Sequence, residues 1–500
     1  MVDTEFGKGI SRRGLMKGGA AVAGALALGF PAKEAGAQET LPKKWDRTDD
    51  VVVIGSGGAG LSAAVTAADK GAGVVVLEKM PIIGGNTVIS GGYLNAADPE
   101  RQGKQGIQDS PENHFKQTLD AGDYRADPEK VRILTENALD ALHWLESMGM
   151  KFDNKVTQIF GAIYPRCHMP VEPRGQGYIR TLKAAADKRG IKILTEMRVS
   201  RIIRDPKPGG RVLGVEVVDR KNKRIFYRAR KAVIIAAGGF SANKELRSLH
   251  DPRMKDLTTT NHSGATGDMI LAAMDIGAYP IGMDYIQCSW GPPPGRDARV
   301  TLQGNVDGFI MVDKRAKRFV AEDERRDVIR DAILNLPERF GYILMDDKGR
   351  LPYERLGKEQ LEAWLKGGDA WKADTLEEMA SKMGVPVEEF VATVKKYNDI
   401  IVANRKDPEF GRNSRNLTKR IETPPFWGYY AGMSVHHTMG GLNINGKTQV
   451  FDRQRKLIPG LYAAGEGTGG IHGSNRVGGN AVAGMIVFGR IAGANAASEA

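Results

Sequence analysis

Glu466 and Arg476 are the acid and the base of the run GLYAAGEGTGGIHGSNRVGGNA, Gly460 to Ala481, which otherwise consists mostly of glycine and small residues. Glycine at this density lets a backbone approach a large ligand closely. A guanidinium beside such a surface is suited to bidentate capture of a carboxylate or a phosphate. A second glycine element, Gly55-x-Gly57-x-x-Gly60, lies near the other end of the chain, and Glu78 follows it. Its glycines suit a tight turn and close approach to a pyrophosphate, whose charge a helix N-terminus favours. Glu78 is placed to accept from both ribose hydroxyls. A third element, Gly84-Gly85-Asn86-Thr87 followed by Ser90-Gly91-Gly92, is a further turn able to admit a pyrophosphate and a ring edge.

The elements that must position these residues read as follows. Asp50 to Ile54 is a short apolar run ending in glycine, the pattern of a buried parallel strand. Gly60 to Lys70 is an alanine-rich helix, and Val74 to Leu77 is the next strand, ending at Glu78. In this βαβ setting the glycine fingerprint predicts dinucleotide binding. It fits NAD and FAD alike. The late segment Gly460 to Glu466 reads as strand, glycine turn and acid, which suits a ribitol contact. An NAD domain needs no such remote element, so the pair favours FAD. Residues 110–150 have helical period. Ile191–Leu194, Val212–Val218 and Val233–Ala236 read as strands, the last running into Ala237-Gly238-Gly239. Residues 290–300 are rich in Pro, Gly and Arg, and residues 320–420 are charged and largely helical by pattern. The expected fold class is α/β: a split Rossmann-like FAD-binding domain, residues 45–284 and 436–500, interrupted by an inserted α+β capping domain at 285–435.

Composition narrows the function classes. The chain has 500 residues and a formal net charge of +12. A basic surface suits nucleic acid, anionic lipid or an acidic protein partner. No nucleic-acid motif accompanies it, and no nucleic-acid partner is expected. The two cysteines, Cys167 and Cys288, exclude a disulfide framework, a four-cysteine iron–sulfur cluster and a C-x-x-C-H haem attachment. No metal site is expected. Ser11-Arg12-Arg13-Gly14-Leu15-Met16-Lys17 resembles a twin-arginine export signal. Gly18 to Phe30 is an apolar run too short to span a bilayer comfortably, and Ala35-Gly36-Ala37 fits a small-residue cleavage site. Residues 1–37 are therefore expected to be a signal peptide, and the mature protein a periplasmic one without stable membrane insertion.

Taken together, V-V-V-I-G-S-G-G-A-G, G-G-N-T, His436-His-Thr-Met-Gly-Gly441 and His472-Gly-Ser-Asn-Arg-Val-Gly-Gly-Asn480 resemble the flavoprotein family of fumarate reductases and succinate dehydrogenases. The resemblance covers nearly all of residues 48–497 and is to the soluble periplasmic members and their urocanate- and acrylate-type relatives. It implies anaerobic respiratory electron transport and reduction of the C=C bond of an α,β-unsaturated carboxylate. His437 and Arg476 match the histidine and arginine that hold a substrate carboxylate; His436 is expected to be a packed residue. Lys317-Arg-Phe-Val-Ala-Glu-Asp-Glu-Arg-Arg-Asp327 resembles the family's K-R-F-V-N-E-x-x-T-R-D, whose last arginine is the proton donor, so Arg326 is the candidate. Read without the family, Glu322 to Arg330 is a charged helix face. The cofactor residues implied are Gly55, Gly57, Gly58, Ala59, Gly60, Glu78, Gly85, Asn86, Thr87, Gly92, Gly238, Asp268 and Glu466.

The chain also departs from the pattern. Where soluble fumarate reductases carry Q-x-H-P-T, whose histidine holds the distal carboxylate, it has Gln287-Cys288-Ser289-Trp290. Where they carry a relay acid and arginine in E-A-V-R-G-N, it has Arg299-Val-Thr-Leu-Gln303 before Gly304-Asn305. Arg296, Asp297 or Arg299 are the candidates to substitute. The loss suits a substrate with one carboxylate and an apolar or aromatic tail near Trp290, such as methacrylate or acrylate. Residues 84–97 contain no histidine, so the FAD is expected to be non-covalent. Ser263-Gly264-Ala265-Thr266 is expected to be a turn near the cofactor rather than a flavinylation site. With no haem or cluster of its own, the chain is expected to take electrons from a separate multihaem c-type cytochrome. Two rival readings are a FAD-dependent dehydrogenase of ketosteroid or tricarballylate type and a non-catalytic flavin electron-transfer subunit.

Overall fold

The computed structural model describes residues 41–159, 164–172, 174–304, 306–352 and 356–500. The expected export signal and Asn305 lie outside the described residues. The central element is a mixed eight-stranded sheet. Its main order is Gln449–Phe451, Leu457–Ala463, Arg224–Ile235, Arg47–Ile54, Val74–Leu77 and Lys192–Leu194. The five strands from Leu457–Ala463 to Lys192–Leu194 pair in parallel. The hairpin of Met197–Arg204 and Val212–Asp219 joins antiparallel beside Arg224–Ile235. Val51, Val52 and Val53 are fully buried, as an unbroken apolar run between two neighbours requires.

The two ends of the chain meet in this sheet. Leu461 pairs with Val233, and Val233 with Val52. The last helix, Asn480–Ala497, packs on the first, Gly58–Asp69, and glycines permit the approach. A Cβ at Gly489 would lie 2.5 Å from Ala59 O, and one at Gly493 would lie 2.2 Å from Ala63 O. The first helix begins at Gly58, before the expected Gly60, because Gly57 takes the extended N-cap position.

The segment 110–150 forms two helices, Pro111–Ala121 and Pro128–Ser147. Each opens with a proline at its start and a capping side chain: Ser110 accepts from Asn113 N and Asp127 from Glu129 N. The break between them leaves a tight turn at 122–127.

A second sheet, of six strands, is built around the long strand Phe426–Thr438. Ile286–Gly291, Gly341–Met345 and Ala370–Ala373 pair with it antiparallel, and Thr258–Thr259 in parallel. Two of these strands fall inside the stretch expected to be largely helical. Gly341–Met345 is a continuous apolar run, fully buried, with no polar residue to set a helical period. Behind the sheet, Glu322 is fully buried. It accepts from Arg318 at 2.9 and 2.7 Å, from Arg412 at 2.9 Å and from Met311 N at 3.1 Å. The stretch 322–330 is thus no simple charged helix face: its acid anchors the segment that leads into the helix Arg326–Leu334.

Candidate active site

A cavity of about 1060 Å³ lies between the two sheets. One end of it is built from main chain. Gly55 makes the turn after the first strand at φ +103°, and a Cβ there would meet Ala236 O at 2.4 Å. The first helix has no side-chain cap; Gly58 N–H donates to Thr87 Oγ1 at 3.0 Å. Glu78 is buried at the end of the second strand. Its Oε2 accepts from Ser56 N at 2.9 Å and Ser56 Oγ at 2.7 Å, and its Oε1 from Met80 N at 2.9 Å. A carboxylate has about four acceptor sites. Three are taken, one of them by the rotatable Ser56 hydroxyl, and Glu78 lines the cavity with acceptor capacity left for a ribose.

Glu466 joins three segments here. Its Oε1 accepts from Thr438 N at 3.1 Å and Thr438 Oγ1 at 3.3 Å, and its Oε2 from Asn86 Nδ2 at 3.2 Å. Burial raises its carboxyl above the usual range, and the Thr438 amide opposes this. Asp268 pairs with Lys79 at 2.9 Å. Cβ atoms at Gly85 and Gly238 would meet nothing within 4 Å, so glycine at both keeps the cavity clear.

The other end is built from side chains. Gln287 is fully buried and its Oε1 lies between two guanidinium groups, accepting from Arg476 Nη2 at 2.9 Å and from Arg326 Nη1 at 3.4 Å. Its Nε2 donates to Asn475 Oδ1 and Arg476 O, both at 2.8 Å. The neutral amide fixes both arginines without neutralising them. Arg326 is half-buried on the cavity wall. Desolvation, then Arg476 and Arg299, lower its guanidinium to about 9. Burial lowers Arg476 to about 10, and its Nε–H has no acceptor among the described residues. Arg476 lines the cavity, so this donor is one that a group entering the cavity is able to satisfy.

Burial, then Arg476 and His472, hold His437 well below the usual imidazole range. It is neutral, and its Nδ1 lies 3.8 Å from Glu466 Oε1, beyond hydrogen-bonding range. The two rings of His437 and His472 meet edge to face at 5.6 Å.

The structure brings the expected site residues to one cavity, with one exception. Gly60 does not line it; a Cβ there would lie 1.9 Å from Gly55 O, so this glycine serves helix–strand packing. His436, expected to be packed, also lines the cavity. Gln287 pairs with His437 and Cys288 with Val435, so His436 is the extra residue of a β-bulge. The bulge breaks the alternation of faces and turns both histidines inward. His436 Nδ1 lies 2.7 Å from Thr260 Oγ1. Of the three candidates to replace the missing distal groups, the cavity selects Arg299. Neither Arg296, paired with Asp369 at 2.7 Å, nor Asp297 lines it. Arg299 Nε donates to Trp290 O at 3.0 Å, and both residues line the cavity. Gln287 is the residue of this cluster that the sequence did not single out. The glutamine of the Q-x-H-P-T run was the one available signal.

A dinucleotide turn, a remote second acid and a clear channel between them define a FAD-binding fold, and the residues present fit that cofactor. A family model described as an FAD binding domain matches residues 50–482. The chain is 38% identical, over 91% of its length and 75% of the relative's, to a probable fumarate reductase of Shewanella frigidimarina. It is 31% identical, over 97% of both chains, to the acrylate reductase flavoprotein subunit of Shewanella woodyi. It spans about half the length of two further curated relatives. The open conformation of a flavocytochrome c3 fumarate reductase matches it with a TM-score of 0.75 and 35% identity, over 91% of this chain and 79% of that one. The protein is an FAD-dependent oxidoreductase. It belongs to the fumarate reductase flavoprotein family.

Proposed function

We propose that this protein reduces the C=C bond of an α,β-unsaturated carboxylate. The observation that carries the reading is the placement of Arg476 and Arg326 on one amide oxygen of Gln287, beside a neutral His437. When bound, FAD supplies a hydride to the β-carbon. Arg476 holds the substrate carboxylate through its Nε–H and the fork beside it, and the His437 N–H completes the grip and polarises the conjugated bond. Arg326 gives a guanidinium proton to the α-carbon. A guanidinium is a poor acid at its ordinary pKa. Desolvation and two neighbouring cations bring this one closer to the operating range of an acid catalyst.

At the distal end Ser289 stands where the family pattern has histidine, and Trp290 supplies apolar wall. This supports a monocarboxylate such as methacrylate or acrylate. One observation favours a second reading, a fumarate-like dicarboxylate. The terminal nitrogens of Arg299 make no hydrogen bond to protein among the described residues. Turnover of fumarate, acrylate, methacrylate, cinnamate and urocanate by the FAD-loaded protein with reduced viologen tests both. Preference for methacrylate or acrylate supports the first and preference for fumarate the second. Reduced flavin that no enoate reoxidises would leave the electron-carrier reading. Oxidation of a saturated substrate by an artificial acceptor, with no reductive turnover, would favour a ketosteroid- or tricarballylate-type dehydrogenase. The arginine-lined end suits an anion better than a steroid.

The same proposal extends to setting and partner. The twin-arginine pattern at 11–17 supports export to the periplasm. Two cysteines and no haem motif support electron delivery by a separate c-type cytochrome. So does the name "flavoprotein subunit" of the relative that matches this chain over 97% of both lengths. No helix of the described residues is long and apolar enough to cross a membrane. The absence of histidine from 84–97 supports non-covalent FAD, which release of the flavin on denaturation would check.

A further inference from the structure

We propose that Arg325, Asp123 and Ser474 form a latch that sets Arg326 against Arg476. Arg325 immediately precedes Arg326 and is the N-cap residue of its helix. Its guanidinium reaches across to the 122–127 turn, where Nη1 and Nη2 donate to Asp123 Oδ1 and Oδ2 at 2.6 and 2.9 Å. The same group is held from its own side by Asp327, at 3.1 and 2.5 Å. Asp123 Oδ2 also accepts from Ser474 Oγ at 2.5 Å, and Ser474 lies two residues before Arg476. One carboxylate therefore ties the residue before Arg326 to the loop that carries Arg476.

The turn is built to present that carboxylate. Ser474 N donates to Gly122 O at 3.1 Å, and Asp127 N to Gly470 O at 2.8 Å. A Cβ at Gly473 would lie 2.3 Å from Gly122 O, so the turn and the 470–476 loop are packed backbone to backbone. Asp123 and Tyr124 both adopt left-handed φ, +53° and +54°, a costly conformation for non-glycine residues. Tyr124 is 69% exposed, so burial of its ring does not compensate. What the turn gains is the aim of Asp123, whose carboxyl the Arg325 fork holds down to about 2. The motif that this segment resembles has threonine at the position of Arg325, which makes the ion pair a feature of this chain.

The latch rests on the proposed roles of Arg326 and Arg476, and its test separates the two. Amide hydrogen exchange of the full FAD-loaded protein is compared between wild type, Arg325→Thr and Arg325→Lys. Faster exchange in Arg325→Thr at 121–127 and 470–476, largely restored in Arg325→Lys, is the expected result; the helix 326–334 is left out of the readout because threonine at its N-cap supports the helix start by itself. Unchanged exchange overturns the latch whatever the activity. Turnover of fumarate and methacrylate with reduced viologen then reads positioning. kcat should fall on the order of tenfold in Arg325→Thr, with flavin content unchanged. The wild-type kcat should fall with added salt while that of the variant does not, because partly exposed pairs are screened. Faster exchange with an unchanged kcat would overturn the positioning role. If the wild type reduces neither enoate, the exchange result decides the latch alone and the fault lies with the substrate assignment.

Discussion

The two ends of the cavity are built on opposite plans. Around Glu78 itself the polar atoms are satisfied by main chain and near neighbours: Ser56, Met80 and the Thr87–Gly58 bond all fall within residues 56–87, and only Glu466 and Asp268 reach in from afar. At the arginine end the contacts join residues far apart in sequence, Gln287 to Arg326 and Arg476, and Arg476 Nε–H has no acceptor among the described residues. The first end is a finished surface that a dinucleotide can lie against. The second is left short of acceptors, so an anionic ligand completes it. Function at the first end should tolerate loss of one side chain, and function at the second should not.

The strongest break is expected at Arg326. Replacement by alanine should lower kcat with reduced viologen and the preferred enoate by about 10²–10⁴-fold, the range for loss of a positioned proton donor. FAD absorbance should be unchanged, because Glu78 and the glycine turns lie at the other end. Near-normal turnover would sink the role assigned to Arg326.

A smaller effect follows from the imidazoles. His472 is buried beside His437, and burial, then Arg476, pulls it down to about 3. Unfolded, it titrates near 6.5. A base with a depressed folded pKa binds more protons in the unfolded chain, so its contribution to stability is full above about pH 6.5 and is lost as pH falls. At pH 5 the loss from this residue is on the order of 2 kcal/mol. Denaturant midpoints at pH 7.5 and 5 should therefore differ less in His472→Gln than in wild type. An equal difference in both proteins would mean that His472 is already protonated in the folded state, and the arginine end less cation-rich than drawn.

The same contrast decides what was legible in the sequence. The βαβ unit, Glu78 and the late acid Glu466 were readable because each sits in a local pattern of glycine and apolar residues. The packing of Gly489 and Gly493 on the first helix shows why the late segment had to return to the first sheet. Arg476 stood out in its glycine run as an anion-binding group, whereas Arg326 and His437 were reached by resemblance, since a charged helix and a strand histidine have no local signature of catalysis. That His436 reaches the cavity wall was not legible, because a one-residue bulge reverses the face of a strand without altering its composition. Gln287 was visible only as the first residue of its run, and Asp123 not at all, because their partners lie far along the chain. The strands at 341–345 and 370–373 were lost among charged helical neighbours, because short apolar runs carry no period to separate strand from helix.

The mildest prediction sharpens the comparison from the first end. Thr87→Val keeps the volume of the side chain and removes the acceptor of Gly58 N–H. A single net hydrogen bond is worth about 0.5–1.5 kcal/mol. The uncapped helix start, the Glu78 contacts and the open glycine positions all remain. FAD affinity, measured by titrating apoprotein with the cofactor, should fall by about tenfold or less. kcat at saturating FAD should stay within about twofold of wild type, because no group at the arginine end has moved. A hundredfold loss of affinity, or a matching loss of kcat, would show that the dinucleotide end also hangs on single side chains. The distinction between a finished surface and an incomplete one would then fail.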